Sequence, residues 1–339
     1  GGQGLPRIAC GQRHLAIAPL AHREAARAGL GVAVLGENAH SQLGLGDARP
    51  RADPRSVQGL AWEEVVAVAC GRAHSLAVRR AGDVYAWGHG RLGRLGTGTM
   101  QSLDQPSLVV ALHGVKITAV ACGAAHSLCI DAAGGVWAWG DNRHGQLGIG
   151  EAETGRSLCT ANPRSIEGLR TDPASRVACG DYHSLAVTSS GSVFTWGGGS
   201  FGVLGTGDAP RRGSSNSSGP QAAARYRATP SRVARVSTGN DAAMCGVVEA
   251  ACGGYHCLVV TREGEVYAWG KGSDGQLGLG SRQHCFRPKL VSAMEGHMVM
   301  SAAAGASHTC VRTSKGEVFA WGFVSDRHDL SSPNGFSIR

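Results

Sequence analysis

Short apolar runs interrupted by glycine recur along the whole chain. Between residues 65 and 98, the apolar runs 65–69, 76–78 and 84–87 are separated by turn-forming residues and followed by a glycine-rich loop. In 84–87, the two aromatic residues alternate with small ones, so they share one face of an extended strand. Runs of this length bounded by glycine predict β-strands. Each unit is too small to bury its own apolar face, so neighbouring copies are expected to pack together.

The repeat is marked by Cys-Gly-x-x-His, which occurs six times with Ala304 in place of the last cysteine. Five of the histidines are followed 14 residues later by a glycine that completes a Trp-Gly pair. In the first repeat, the equivalent Leu35-Gly36 comes 22 residues after His14, which predicts an inserted loop over 19–28. The residues assigned to this structural repeat are Cys70, Gly71, His74, Trp87, Gly88, Cys122, His126, Trp139, Cys179, His183, Trp196, Cys252, His256, Trp269, His308 and Trp321.

The spacing of these marks predicts the architecture. Ten residues after the Trp-Gly glycine the loop closes with Leu-Gly-x-Gly, and a regular repeat is 52 residues long. A period near 50 with several short strands per unit is typical of a β-propeller. Glycine-containing turns such as 79–83 and 261–265 favour hairpins before the Trp strands. Segments 106–112 and 288–292 are expected to supply a fourth, outer strand, where proline is tolerated.

The two ends of the chain bear on the number of blades. Residues 323–339 and 1–9 together supply 26 of the 34 residues that normally separate a Trp-Gly pair from the next Cys position. Strands 318–321 and 8–17 are therefore expected to share one blade, which would remove exposed sheet edges. The sequence thus predicts a single all-β propeller domain over 1–339, with four-stranded antiparallel blades. Six blades are visible, and seven is the alternative.

These motifs resemble the regulator-of-chromosome-condensation repeat family, of which this chain looks like a divergent member. The resemblance rests on GxVYAWG, on QLGLG at 42–46 and 276–280 with QLGIG at 146–150, and on VACGxxHSLAV. It implies a β-propeller fold. The founding member of the family is a guanine-nucleotide exchange factor for a Ran-like small GTPase, so exchange activity is an alternative function that the resemblance implies.

Composition limits the class of protein. The chain of 339 residues has 52 glycines, 11 cysteines and a net charge of +8, and no apolar run approaches the ~20 residues of a membrane span. Because the odd cysteine count and the absence of a visible signal segment argue against a disulfide-stapled secreted domain, we expect a reducing intracellular compartment, either cytoplasm and cytoskeleton or nucleus. An organelle is the remaining alternative.

The repeated polar residues are interpreted as structural. Zinc needs about four converging N or S ligands, whereas the Cys-x-x-x-His pairs fall in different blades, so no metal is expected. The tryptophans at a fixed position before a glycine are expected to pack between blades. No phosphate-binding loop, nucleophile elbow or paired carboxylates are visible, so we expect neither a cofactor nor enzyme activity.

Residues 208–246 depart from the spacing and are predicted to be an inserted surface loop. Between 209 and 240 this segment contains no acidic residue. Its candidate partner-binding residues are Arg211, Arg212, Arg225, Tyr226, Arg227, Arg232 and Arg235. A loop on a rigid scaffold is a common place for binding.

The function that these observations favour is a non-catalytic scaffold. It would bind partner proteins through its loops, within a larger assembly. One alternative is exchange-factor activity on a small Ran-like GTPase. The other is binding of an acidic surface or nucleic acid through the Arg-rich loop.

Overall fold

The parts of the chain that the structure describes contain twenty-five strands and five short 3-10 turns, and every sheet is antiparallel. A computed structural model describes residues 7–18, 31–61, 65–150, 158–208, 226–233, 246–325, 328–329 and 336–338. Contacts divide the chain into two compact units, residues 1–143 with 152–170 and residues 144–151 with 171–339.

The first unit contains three sheets of four strands, each a simple meander in its pairing order. The first sheet is β1 (Arg7–Cys10), β2 (His14–Ala18), β3 (Gly31–Gly36) and β4 (Arg51–Ala61). The second is β5 (Val65–Cys70), β6 (His74–Arg79), β7 (Val84–Gly88) and β8 (Leu103–Leu108). The third is β9 (Ile117–Cys122), β10 (His126–Asp131), β11 (Val136–Asp141) and β12 (Cys159–Ser165).

The second unit also contains three sheets. The fourth sheet is β13 (Ala174–Cys179), β14 (His183–Thr188), β15 (Val193–Gly197) and β16 (Arg227–Arg232). The fifth is β17 (Val247–Cys252), β18 (His256–Thr261), β19 (Val266–Gly270) and β20 (Cys285–Leu290). The sixth is β21 (Val299–Ala304), β22 (His308–Thr313), β23 (Val318–Ser325), β24 (His328–Asp329) and β25 (Phe336–Ile338).

The predicted fold class is confirmed: the chain is all-β, and its six antiparallel sheets are the blades of a β-propeller fold. The Cys position ends the first strand of a sheet, the histidine begins the second, and the Trp-Gly pair lies in the third. His74 is the register partner of Gly88, and the same pairing recurs in the other five sheets. In the second to sixth sheets, the constant spacing of 14 residues is therefore the length of one hairpin, whereas the equivalent spacing in the first sheet is 22 residues.

The middle strands of each sheet form the core. Leu76, Ala77 and Val78 of β6 are fully buried. Residues of the first sheet pack on one face of this strand and residues of the third sheet pack on the other. Trp87 lies in a buried cluster with Leu43, and Trp269 in another with Val203. The outer strands such as β8 are more exposed, as expected of an edge.

The expectation that the first and last strands share one blade is wrong. β1 pairs with β2 inside the first sheet, whereas β23 pairs with β22, β24 and β25 inside the sixth. The prediction from the residue count is wrong because β24 and β25, which follow β23 in the chain, both pair with β23. Each end of the chain thus completes its own sheet.

Three further expectations can be compared with the strands. The outer strands β8 and β20 begin three residues earlier than predicted, and residues 110–112 and 292–294 form 3-10 turns instead of continuing them. The extra residues 19–28 follow the end of β2 and lie outside the described residues. The single domain over 1–339 stays a prediction. Within the described residues, no helix has the length and apolar character that crossing a membrane requires.

Candidate interaction site

A four-member hydrogen-bond network joins consecutive repeats. In the first unit, Trp139 Nε1 and Ser127 Oγ both donate to the carbonyl oxygen of Arg94, each at 2.9 Å. His74 Nε2 lies 3.0 Å from Ser127 Oγ. Because the serine proton is already donated to the carbonyl, His74 must donate from Nε2. The histidine of one repeat is thereby tied to the serine and tryptophan of the next.

The same network recurs in both units. The Trp87, Trp196, Trp269 and Trp321 indoles donate to the carbonyls of Gln42, Gln146, Val203 and Gln276 at 2.8 to 3.0 Å. The hydroxyls of Ser75, Ser184 and Thr309 donate to three of these carbonyls. His14 and His256 contact Ser75 and Thr309. The indole Nε1 atoms, the hydroxyls and the histidine Nε2 atoms of the repeat are therefore hydrogen-bonded to one another or to backbone inside the protein.

Burial keeps three of the repeated histidines, His14, His74 and His256, neutral. Desolvation lowers the pKa of His14 to about 4 and that of His256 to about 3, and it holds the pKa of His74 well below the ordinary value. A neutral imidazole buried this deeply does not meet solvent or a substrate. The histidines therefore act within the scaffold, as the sequence interpretation expects.

The glycine-rich loops close over the tryptophans. Gly148 has φ of +70°, and a Cβ at this position would lie 2.7 Å from Trp196 Nε1. Equivalent approaches occur at Gly44, Gly96, Gly205 and Gly278. The glycines are needed because the indole of the next repeat packs directly on the loop backbone.

The Arg-rich segment is partly a strand. Arg227 and Arg232 belong to β16, the outer strand of the fourth sheet, which corrects the expectation of a loop throughout 208–246. Arg227 pairs with Asp208 at 2.8 Å, and Arg232 donates to Ser192 Oγ at 2.9 Å. Tyr226 is 56% exposed. The remaining candidates Arg211, Arg212, Arg225 and Arg235 lie outside the described residues.

One cluster combines residues that the sequence pattern leaves separate. His183, Cys252 and Cys257 bring their ligating atoms within 4.8 Å of one another. The repeat pattern pairs Cys252 with His256 of the same repeat. Cys257 does not stand out in the sequence, because four of the other five repeats have serine or threonine at its position. The cysteines that the structure describes are all thiols.

Five aromatic rings of the second unit form a partly exposed group, named the aromatic cluster. Its members are His144, Tyr182, Phe201, Tyr255 and His284. Neighbouring ring centroids are 5.0 to 6.0 Å apart, and their planes are tilted or perpendicular, which is the favoured geometry. The tyrosines are half-buried and the histidines exposed. Sequence reasoning missed this group, because its members come from five separate segments.

Charged groups border the aromatic cluster. Lys271 forms an ion pair of 2.8 Å with Asp274, and the Lys271 amide donates to the Tyr255 carbonyl. The Gly272 amide donates to His284 Nδ1, and burial together with the nearby Lys271 charge lowers the pKa of His284. His284 is therefore neutral at physiological pH and adds an uncharged ring to the cluster. Apolar rings with a charged border are the usual composition of a protein-binding patch.

The arrangement of sheets and loop networks agrees with a known family. Residues 31–334 match the family model described as the RCC1-like domain. The chain belongs to this family. The repeat motifs identified from the sequence are those of an RCC1-like propeller, so the resemblance is confirmed. The family match does not by itself assign an activity, because one fold serves several functions.

Relatives include much longer proteins. The ultraviolet-B receptor UVR8 of Arabidopsis thaliana is 35% identical over 289 residues, which are 85% of this chain and 60% of that protein. Human E3 ubiquitin-protein ligase HERC2 is 38% identical over 278 residues, which are 81% of this chain and 5% of that protein. The chain therefore spans less than two thirds of either relative.

Solved structures share the fold. The crystal structure of human WBSCR16 superimposes with a TM-score of 0.71 at 25% identity, covering 90% of this chain and 70% of that one. The structure of Prp20p from Saccharomyces cerevisiae gives a TM-score of 0.74 at 23% identity, covering 98% of this chain and 76% of that one. These similarities agree with a propeller built from the observed sheets.

Proposed function

We propose that this chain is a non-catalytic protein-interaction module that binds a partner protein through the aromatic cluster, within a larger assembly. The observation that carries the proposal is the identity of Tyr182 and Tyr255. Each stands directly before the repeat histidine, where the second and third repeats have Ala73 and Ala125. Since alanine suffices for the fold at this position, the two tyrosine rings are not required for packing.

The composition of the cluster supports protein binding. Tyrosine and phenylalanine are enriched in the buried centres of interfaces, because they contribute large apolar area with little conformational entropy to lose. Tyr182 and Tyr255 are held by neighbouring rings at centroid distances of 5.1 to 6.0 Å, so their conformations are already restricted before binding. Preorganisation of this kind lowers the entropic cost of association.

The composition of the aromatic cluster indicates which groups the partner's surface should carry. It would present an apolar side chain to the tyrosines and charged groups to the pair Lys271–Asp274, which lies at the border of the cluster. We also propose that the protein works in a reducing intracellular compartment, cytoplasm, cytoskeleton or nucleus, where its thiols stay reduced. Exchange-factor activity on a small Ran-like GTPase is the alternative that the family resemblance implies.

The aromatic cluster is tested by replacing both tyrosines with the residue that other repeats carry. Tyr182→Ala with Tyr255→Ala should retain the fold and weaken binding of a captured partner by roughly 10- to 100-fold. The matched control is Tyr226→Ala, which removes an exposed ring from the Arg-rich segment. Loss of the partner with the control, and its retention with the double variant, would assign binding to that segment and contradict the proposal.

The non-catalytic part of the proposal needs a separate assay. Nucleotide release from a panel of small GTPases is followed with catalytic amounts of the protein. We expect release rates equal to those of the GTPase alone. A strong acceleration would replace the scaffold assignment by that of an exchange factor.

A further inference from the structure

One network in the second unit has a different composition. Where the other described networks have a serine or threonine hydroxyl, this one has the thiol of Cys257. Its Sγ lies 3.2 Å from His183 Nε2 and 3.5 Å from the Val203 carbonyl oxygen. Val203 itself stands where three other loops have glutamine. In this network a soft sulfur atom therefore stands in place of the hard hydroxyl oxygen of the others.

A second thiol faces the first. Cys252 at the end of β17 is the register partner of Cys257 in β18, and their Sγ atoms are 3.7 Å apart. The ligating atoms of His183, Cys252 and Cys257 all lie within 4.8 Å. Across the described parts of the chain, this is the one group of three His, Cys, Asp or Glu residues that converges so closely.

The distances fit a tetrahedral zinc ion. Zinc binds thiolate sulfur at about 2.3 Å and imidazole nitrogen at about 2.0 Å, which places tetrahedral ligands about 3.8 Å apart for two sulfurs and about 3.5 Å apart for sulfur and nitrogen. In the structure the separations are 3.7 Å between the sulfurs and 3.2 Å between Cys257 Sγ and His183 Nε2, and Cys252 Sγ lies within 4.8 Å of the same nitrogen. We infer that His183, Cys252 and Cys257 form a zinc site with a fourth position for a further ligand.

The zinc complex of these three side chains would have no net charge. Binding of Zn²⁺ releases one proton from each thiol, and the two thiolates neutralise the two positive charges of the metal. His183 and Cys257 are almost completely buried, so a neutral complex is the form that their surroundings tolerate. No electron transfer is involved, and His183 ligates through an unprotonated Nε2.

The first unit contains an equivalent group of three residues with which the proposed zinc site can be compared. His14, Cys70 and Ser75 occupy the equivalent positions, with His14 Nε2 2.9 Å from Ser75 Oγ and Cys70 Sγ 3.9 Å from the same oxygen. A neutral serine hydroxyl is not among the usual zinc ligands. The two positions therefore differ in one ligand: the proposed site has the thiol of Cys257 where the first unit has the hydroxyl of Ser75.

The test is a zinc titration of the reduced, metal-stripped protein against a chromophoric chelator. Wild type should bind one Zn²⁺ per chain, and Co²⁺ should give a thiolate charge-transfer band. Cys257→Ser, which installs the residue of the second repeat, should weaken binding by more than roughly 100-fold. Ser75→Cys should create a second equivalent of bound zinc.

Circular dichroism and thermal melting are used to check that both variants fold. Cys252→Ser is a second ligand removal and should have the same effect as Cys257→Ser. Failure of reduced wild type to bind Zn²⁺ overturns the inference. It is also overturned if Cys257→Ser binds zinc as tightly as wild type, or if the two thiols are found as a disulfide after isolation with reductant.

Discussion

Two glycines of one loop separate the cost of backbone strain from the cost of packing. Gly148 and Gly150 both have positive φ, +70° and +95°. A Cβ added to Gly148 would lie 2.7 Å from Trp196 Nε1, whereas one added to Gly150 meets nothing within 4 Å. Alanine at each position therefore imposes a similar backbone strain, and at Gly148 it also displaces the indole.

The expected difference follows from these contacts. A left-handed backbone costs an alanine about 1–2 kcal/mol at either position. Overpacking at Gly148 adds typically about 1–3 kcal/mol. Shifting the indole also weakens the hydrogen bond from Trp196 Nε1 to the Gln146 carbonyl, now 2.9 Å long, which contributes about 1 kcal/mol. Gly148→Ala should thus be less stable than Gly150→Ala by about 2–4 kcal/mol.

Urea unfolding followed by tryptophan fluorescence and circular dichroism measures this difference. The comparison is repeated with Gly278→Ala, whose Cβ would lie 2.8 Å from Trp321, and Gly280→Ala, which meets nothing within 4 Å. Both pairs should show a lower urea midpoint for the tryptophan-facing glycine. Equal midpoints within each pair would refute the packing of each tryptophan on the preceding loop.

Two further predictions concern the histidine network. Because burial lowers the pKa of His14 to about 4 and of His256 to about 3, the unfolded chain takes up a proton at each histidine before the folded chain does as pH falls below 6.5. Urea midpoints should therefore fall between pH 7.5 and 5, with each histidine costing about 2 kcal/mol of stability by pH 5. A constant midpoint would contradict buried neutral histidines. Ser127→Ala should cost about 1–3 kcal/mol in the same assay because it leaves the His74 N–H unsatisfied, whereas Ser127→Thr, which copies Thr309, should stay within about 1 kcal/mol of wild type.

The local parts of the fold were predictable from spacing. The 14 residues between His74 and Gly88 encode one hairpin, because strand lengths and a tight turn fix the register. The glycine needed at each Trp-Gly pair and in each Leu-Gly-x-Gly loop is visible for the same reason. Such features depend on neighbours within one repeat or on the next copy of it.

The remaining features depend on contacts that spacing does not contain. β16 reads RATPSR, which lacks the alternation of a half-buried strand, because an edge strand is held mainly by backbone bonds to β15. The aromatic cluster brings together rings from separate segments, and Cys257 meets His183 across 74 residues. Neither neighbour relation follows from a linear pattern.

The central claim is that partner binding lies at the aromatic cluster. Hydrogen–deuterium exchange of the chain with and without its captured partner tests it most directly. We predict protection on binding at 181–182, 199–202, 254–255 and 283–284, the segments that carry four of the five rings. Protection confined to 226–232, with these segments unchanged, would contradict the account and assign binding to the Arg-rich segment.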